Sequence, residues 1–234
     1  EQHCPKREST YRSMLGYLNH TCQFHHVELS FAVSLAGSFM ANPSELHMTL
    51  VRNIFQYLLG TLSNDTAHQS KILRKDPTLF MPNSVVTVMC DADLGAAWNH
   101  RSRTAYFGFL YGNLVGSRSR LQPAVSLSTA EAEFMALAEA SRFALWLKRL
   151  LIDFGLEVMA TAPALVLGDN KSAQKIAKSP MQQKNSRHIN RRLFWIKEKI
   201  LDGTIMVQFV PTNSNISDIG TKALAKAKFI PFRD

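Results

Sequence analysis

The sequence predicts an α/β fold, in which a mixed β-sheet with flanking helices follows a short helical segment. Three observations favour this class: helical periodicity before residue 80, a change to β-branched runs from Val85 onward, and alternation of strand and helix patterns from there. The 234 residues, 46% hydrophobic and 19% charged, are typical of a folded protein with a sizeable core. This composition excludes a disordered chain, and the apolar runs fall far short of the roughly 20 residues that cross a membrane.

The first part of the chain is predicted to be helical. Residues 42–45 (Asn-Pro-Ser-Glu) form a start signal with Asn as the cap, followed by a first-turn proline and an acid, and apolar residues then recur at helical spacing. A second helix is predicted over residues 27–39. Residues 61–83 are polar and contain two prolines, which indicates a linker. We therefore predict a helical connection or tether segment at residues 1–80 and a second domain at residues 81–234.

The second domain is predicted to contain five strands and four helices. The predicted strands are residues 85–90, 104–111, 114–117, 165–167 and 205–210, with a hairpin turn at Gly112-Asn113. The predicted helices are residues 128–155, 172–178, 188–201 and 215–228. Three strands, a helix, a strand, two helices, a strand and a last helix follow in that order. This order describes a mixed sheet with helices packed on it.

The net charge of +9 is concentrated in one segment of the chain. Residues 1–80 have seven basic and six acidic side chains, whereas residues 171–199 have nine basic side chains and one acid, Glu198. A clustered basic segment indicates a polyanionic partner, and a solvated basic surface is the alternative interpretation.

The cysteines indicate a reducing compartment. Cys4, Cys22 and Cys90 are too few and too scattered for a disulfide framework or a zinc site. The chain begins without an initiator Met and without a signal-peptide pattern, so we expect a piece of a longer polypeptide.

Four carboxylates of the second domain lie at strand ends or in first helical turns. They are Asp91 after the first strand, Glu133 in the long helix, Asp169 after the fourth strand and Asp218 near the start of the last helix. Open sheets bind ligands at such strand ends, so the four are candidates to converge. Four carboxylates close together would repel one another unless cations neutralised them, and Mg²⁺ is the cation that such oxygen ligands favour. Two such ions about 4 Å apart support in-line phosphodiester hydrolysis, one activating the water and one stabilising the leaving oxygen.

Some of these carboxylates have a competing interpretation. Glu131 has the spacing of a capping-box acid, so we assign helix capping to Glu131 and chemistry to Glu133. Asp93 could replace or assist Asp91. Asp218 alone would be an ordinary first-turn acid favoured by the helix dipole.

The basic segment offers contacts to a nucleic acid. On the helix predicted from His188, one face mixes cations with an aromatic ring, as nucleic-acid surfaces often do, although Trp195 could equally be a core residue. Contacts of this kind recognise shape, so we expect little base-sequence preference and a steep loss of affinity with salt. The candidates are Asn170 for a sugar hydroxyl, and Lys184, Arg187, His188, Arg191, Arg192, Trp195 and Lys199.

Six separated motifs occur in the chain in a fixed order: 11–16 (YRSMLG), 90–93 (CDAD), 127–134 (LSTAEAEF), 169–173 (DNKSA), 187–189 (RHI) and 218–222 (DIGTK). Over nearly its whole length the chain thereby resembles the ribonuclease H region, with the preceding connection segment, of copia-type LTR-retrotransposon reverse transcriptase polyproteins. The resemblance implies a ribonuclease H-like fold, a five-stranded mixed sheet whose first three strands are antiparallel, preceded by a small helical segment that joins the polymerase palm to the nuclease.

The resemblance also implies an activity, which is cleavage of the RNA strand of RNA–DNA hybrids as part of reverse transcription. The implied cofactor is a pair of Mg²⁺ ions, for which Mn²⁺ can substitute, held by the four acids that correspond to Asp91, Glu133, Asp169 and Asp218. The implied partners are the hybrid and the polymerase portion of the same polyprotein. The implied location is the cytoplasm, in virus-like particles, with the nucleus as an alternative. Whether the chain forms homo-oligomers stays open.

The chain departs from the family pattern at Leu94, Ala97 and Asn190, none of which is a presumed metal ligand. Cellular ribonucleases H have a histidine in the loop before the last acid, and residues 212–217 contain none, which leaves the turnover rate open. Two other functions compete with the nuclease. One is a catalytically silent nucleic-acid-binding or scaffold domain of a polymerase, and the other is a resolvase or transposase-like nuclease that acts on DNA.

Overall fold

The computed structural model describes residues 4–62, 85–95, 99–171 and 187–233, and within these ranges it leaves out the side chains of residues 24, 187–191 and 193. Most of the predicted linker, residues 63–83, and the predicted helix at residues 172–178 lie outside the described residues.

The N-terminal segment consists of helices α1 (Pro5–Phe24), α2 (Ser30–Gly37) and α3 (Glu45–Leu62). A 3₁₀ turn, Val27–Leu29, leads into α2, so the predicted helix at residues 27–39 is present with a tighter first turn. Apolar side chains of all three helices form one buried cluster. Within it, the hydroxyl of Tyr11 donates a hydrogen bond to the backbone oxygen of Ala36 at 2.7 Å, which connects α1 to α2.

The start of α3 differs from the prediction. Ser44, rather than Asn42, caps the helix, because its Oγ accepts a hydrogen bond from the backbone N–H of His47 at 3.4 Å. Stacking of the His47 ring on Phe39, with centroids 3.9 Å apart, holds this first turn in place. The acid of the predicted start signal, Glu45, is therefore the first residue of the helix.

One mixed sheet is formed by strands β1 (Val86–Asp93), β2 (Arg103–Leu110), β3 (Asn113–Leu121), β4 (Ala164–Gly168) and β5 (Ile205–Phe209). The strand order is β3-β2-β1-β4-β5, antiparallel among the first three strands and parallel from β1 to β4 and from β4 to β5. The predicted five-stranded mixed sheet is confirmed. Strand β1 is longer than predicted because its ladder with β2 continues to Asp93. Asp91 therefore lies within β1 instead of following it.

Helices α4 (Thr129–Asp153), α5 (Arg187–Leu201) and α6 (Lys226–Arg233) flank this sheet. Helices α4 and α5 cover one face, where Val88 and Ile196 belong to the same buried cluster. The other face packs against α6 and its preceding turn through Met89, Ile219 and Phe232. Among the described residues, no helix combines the length and the hydropathy that crossing a bilayer requires.

The hairpin between β2 and β3 turns at Tyr111-Gly112, one residue earlier than predicted. These two residues have positive φ angles of 51° and 75°, as a type I′ turn requires. Further along the hairpin, a Cβ on Gly108 would lie 2.2 Å from the ring of Phe143. The glycine thus lets α4 pack closely on the sheet.

The prediction of a single helix at residues 215–228 is wrong. Residues Ile216–Gly220 form a 3₁₀ turn capped by Asn215, and α6 begins only at Lys226. The turn stays against β2, since a Cβ on Gly220 would lie 2.6 Å from the Cβ of Ala105. This close approach to the sheet, followed by a change of direction, interrupts the helix.

Candidate active site

Three separate elements bring Asp91, Glu133 and Asp169 together. Strands β1 and β4 are parallel neighbours with Met89 beside Leu167, so the two aspartates, each two residues further on, lie at the same end of the sheet. Helix α4 packs on β1 and supplies the glutamate. One carboxylate oxygen from each of the three lies within 4.8 Å of the other two. We call these residues the three-carboxylate group.

The two glutamates at the start of α4 have different environments. Glu131 caps the helix reciprocally: its backbone N–H donates to Ser128 Oγ at 3.2 Å, and its Oε2 accepts from the N–H of Leu127 at 2.9 Å. The prediction that Glu131 is the capping acid is confirmed. Glu133 is only 7% exposed, and its carboxylate accepts a hydrogen bond from the backbone of Ala92.

Asp93, the competitor of Asp91, lies two residues further along the same face of β1. It is partly buried, and this burial raises its pKa. The positive charges of Lys222 and Arg103 lower the pKa but do not cancel the effect of burial. Asp93 is not a member of the three-carboxylate group. The structure therefore brings Asp91, and not Asp93, to the other two acids.

Burial and like charges raise the pKa of Glu133 and of Asp91. For Glu133 burial is the largest cause, followed by the charges of Asp91 and Asp169. For Asp91 burial is again the largest cause, followed by the charge of Asp218. A hydrogen bond from Thr221 Oγ1 to Asp91 Oδ2 opposes this shift only in part. Buried carboxylates with excess negative charge form a donor set that suits a divalent cation.

Asp218 lies beside Asp91 but has cationic partners of its own. It is fully buried on the 3₁₀ turn, with Lys222 Nζ 2.8 Å from its Oδ1 and Lys228 Nζ in an ion pair with its Oδ2. Burial alone would raise the pKa of Asp218, but these two ammonium groups outweigh it and hold the pKa below its usual value. The predicted fourth acid is therefore close to Asp91, but its pKa is lowered, whereas the pKa values of Asp91 and Glu133 are raised.

Two of the predicted nucleic-acid contacts lie in a groove between α4 and α5. Arg192 and Trp195 line this groove of about 350 Å³ together with Glu139 and Arg142. Trp195 also packs against the buried cluster beneath α5, so it contributes to the core and to the groove.

The remaining predicted contacts differ in how far the structure describes them. Asn170 follows Asp169 and is partly buried. The ammonium group of Lys199 forms ion pairs with Glu198 at 3.1 Å and Asp202 at 2.9 Å, so two carboxylates already neutralise it. Lys184 lies outside the described residues, and Arg187, His188 and Arg191 are in the first turns of α5 with side chains outside the description.

The sequence-based prediction did not include Thr221, Lys222 and Lys228 in the site. A signal existed for Lys222, which follows Asp218 by four residues, the spacing of a helical ion pair. Lys228 is ten residues from Asp218, and its approach depends on the placement of α6. No local pattern could have identified it.

No protein-family model matches the chain. It is 31% identical over 220 residues, 94% of its length, to the retrovirus-related Pol polyprotein from transposon TNT 1-94 of Nicotiana tabacum. It is 27% identical over 223 residues, 95% of its length, to the retrovirus-related Pol polyprotein from transposon RE1 of Arabidopsis thaliana. Over nearly its whole length, the chain is thus similar to one segment of retrotransposon Pol polyproteins. It spans only 16% and 14% of the lengths of these two relatives.

A solved structure with a similar chain course is LC11-RNase H1, isolated from compost. The similarity covers 59% of this chain and 93% of the other chain, with a TM-score of 0.45 and 13% identity. The five-stranded mixed sheet, with its first three strands antiparallel and a helical segment before it, agrees with the architecture that the resemblance implies.

Proposed function

We propose that this chain is a ribonuclease that hydrolyses the RNA strand of RNA–DNA hybrids in retrotransposon reverse transcription. The observation that carries the proposal is the three-carboxylate group, assembled from a strand, a helix and a strand end that are far apart in the sequence. The relatives, which are retrotransposon Pol polyproteins, favour this activity over other uses of an acidic site.

Asp91, Glu133 and Asp169 are the proposed ligands of divalent cations, with Asp218 as the fourth. Two bound Mg²⁺ ions, for which Mn²⁺ can substitute, would supply an activated water and stabilise the leaving oxygen. The chain itself prepares the ligands: Thr221 donates to Asp91, and the backbone of Ala92 donates to Glu133. Such hydrogen bonds fix the orientation of metal-binding side chains before the cation arrives.

The proposed substrate contacts are Asn170 and the basic candidates of the segment that follows it. Asn170, which follows Asp169 in the chain, is the proposed contact to a sugar hydroxyl, the group that distinguishes RNA from DNA. Arg192 and Trp195 are available in the groove between α4 and α5. Phosphate contacts are proposed for Lys184, Arg187 and Arg191. His188, Arg192, Trp195 and Lys199 are the proposed mixed face of cations and an aromatic ring.

The proposed working form is the chain joined to the polymerase portion of the same polyprotein, in cytoplasmic virus-like particles or in the nucleus. Residues 1–80 would serve as the connection segment and residues 81–234 as the nuclease domain. In support, the similarity to Pol polyproteins extends through both parts, over 94% of the chain.

The test is cleavage of an end-labelled RNA–DNA hybrid by the purified chain in Mg²⁺ and in Mn²⁺. We expect endonucleolytic products from the RNA strand and their loss in Asp169→Asn. The matched control is Asp153→Asn, an exposed aspartate at the end of α4 that pairs only with Arg149 among the described residues.

The same assay separates the competing functions. Cation binding without cleavage of any substrate would contradict the proposal and favour a silent scaffold domain. Preferred cleavage of a DNA duplex or branched DNA, in a panel that also contains an RNA duplex, would favour a resolvase or transposase-like nuclease.

A further inference from the structure

Asp218 differs from the other acids of the site because two lysine side chains form ion pairs with it. Both of its oxygens are contacted by ammonium groups, Oδ1 by Lys222 and Oδ2 by Lys228. Lys222 also lies 4.0 Å from Asp91 Oδ2. A fully buried carboxylate is costly unless it is paired, so these two lysines provide the compensation that a metal ion would otherwise provide.

The two lysines are attached to the fold in different ways. Lys222 comes two residues after the end of the 3₁₀ turn and is four residues from Asp218. Lys228 belongs to α6 and reaches the acid from a separate helix, with 33% of its side chain exposed. Lys228 can therefore leave Asp218 without a change in the turn that holds the acid.

Helix α6 is anchored by contacts that do not involve Lys228. Phe232 is buried with Val27 and Ile219, and the ring of Phe229 packs edge-on against Tyr57 at 6.2 Å. The Lys228 ammonium also lies 5.3 Å from the centroid of the Phe232 ring. The ammonium group therefore lies against the ring and the carboxylate at the same time, and the ring stays beside it if the ion pair breaks.

We propose that Lys228 is an internal cation that occupies Asp218 until a divalent ion displaces it, and that it thereby weakens the second of the two metal positions. This inference rests on the proposed function, because it assigns Asp218 to a metal position. Within the described residues, no ion pair reaches Glu133 or Asp169. The first ion therefore meets no paired ammonium at these two acids and only the longer 4.0 Å contact of Lys222 at Asp91, whereas the second must replace the ammonium of Lys228 at Asp218.

The first test is calorimetric titration of the purified chain with Mn²⁺, without nucleic acid. Removing the competing charge in Lys228→Gln should strengthen the weaker Mn²⁺ site by about fivefold or more, a common lower value for coupled binding. The control is Lys226→Gln, an exposed lysine of the same helix, which should leave both sites unchanged. Equal affinity of the weaker site in Lys228→Gln and the native chain, or its absence from both, would overturn the inference.

A second test uses the native chain and so does not depend on the folding of a variant. Brief acetylation followed by mass spectrometry should label Lys228 several times more when Mn²⁺ is present, with Lys226 unchanged. Labelling of Lys228 that stays constant or falls with Mn²⁺ would contradict displacement.

The outcomes also separate this inference from the proposed function. A native chain that binds no Mn²⁺, with Glu133→Gln indistinguishable from it, would refute the metal site as a whole. The inference alone would be refuted if Glu133→Gln abolished the strong Mn²⁺ site while Lys228→Gln left the affinity of the weak site unchanged.

Discussion

The three-carboxylate group and Asp218 are neighbours with opposite electrostatics. Asp91 and Glu133 are almost completely buried and have a raised pKa, whereas Asp218 is buried completely and has a lowered one. The extent of burial therefore does not decide the charge state. The partners do, because Asp218 has two lysines and the three-carboxylate group has mainly other carboxylates. Once its members are ionised, the group needs a cation from solution, whereas Asp218 already has two ammonium partners within the chain.

The largest effect should come from removing one charge of the three-carboxylate group. In Glu133→Gln, hybrid cleavage should fall at least about a hundredfold, since metal assistance contributes several kcal/mol and each tenfold in rate corresponds to about 1.4 kcal/mol. The measurement is the initial rate of product formation under saturating Mg²⁺.

Glu131→Gln, two residues earlier on the same helix, is the matched control. Glutamine at this position can still accept the hydrogen bond from the N–H of Leu127, so the change removes only the favourable first-turn charge. It should cost about 0.3–1 kcal/mol of folding stability while the rate stays within a few-fold. Similar losses of rate in the two variants would contradict the separation of capping and metal binding on α4.

The separation of these two glutamates was predictable because capping is local. Ser128 and Glu131 form the cap through their spacing alone, which leaves Glu133 free for another role. The end of β1 and the break after Gly220 were not predictable in this way. They depend on the ladder between Asp93 and Arg103 and on the contact of Gly220 with Ala105, which join distant parts of the chain.

The cationic partners of Asp218 show the same limit. The strand pattern indicated that the acids would lie at one end of the sheet, and it could not indicate which of them would have an ammonium group nearby. Lys228 reaches Asp218 only because α6 packs on the sheet through Phe232. The composition of a site is therefore easier to predict from sequence than its charge compensation.

A smaller effect is expected in the stability of the metal-free chain as pH changes. In the folded chain, Glu133 and Asp91 have pKa values above those of the same side chains in the unfolded chain. The folded chain is therefore most stable at low pH, and it loses stability as the pH rises above the usual carboxyl range near 4. Urea unfolding in EDTA should show a decrease of about 1–3 kcal/mol between pH 5 and pH 8, since a tenfold difference in proton affinity corresponds to about 1.4 kcal/mol.

Saturating Mg²⁺ should reverse this decrease, because it binds the folded state alone and adds about 2.7 kcal/mol at one hundred times its Kd. In EDTA, the free energy of unfolding of Glu133→Gln should change less with pH than that of the native chain, and it should be higher at pH 8. Asp218 has the opposite effect on the pH dependence of stability. Its pKa is lowered in the folded chain, so the stability that it contributes is lost as the pH falls. A native chain whose stability in EDTA rises steadily from pH 5 to pH 8 would show that the acids are not held together without a cation.

The smallest effect tests whether the hydroxyl of Thr221 prepares Asp91 for the cation. Thr221 is completely buried, and its Oγ1 donates to Asp91 Oδ2. In Thr221→Val the side chain keeps its volume but loses this bond, so the pKa of Asp91 should rise further and the Mg²⁺ concentration for half-maximal cleavage should increase about tenfold. Thr221→Ser keeps the hydroxyl and should restore most of the affinity. If the serine and valine variants had the same half-maximal Mg²⁺ concentration, the effect would come from packing against β1, and the difference between the two parts of the site would depend on the lysines alone.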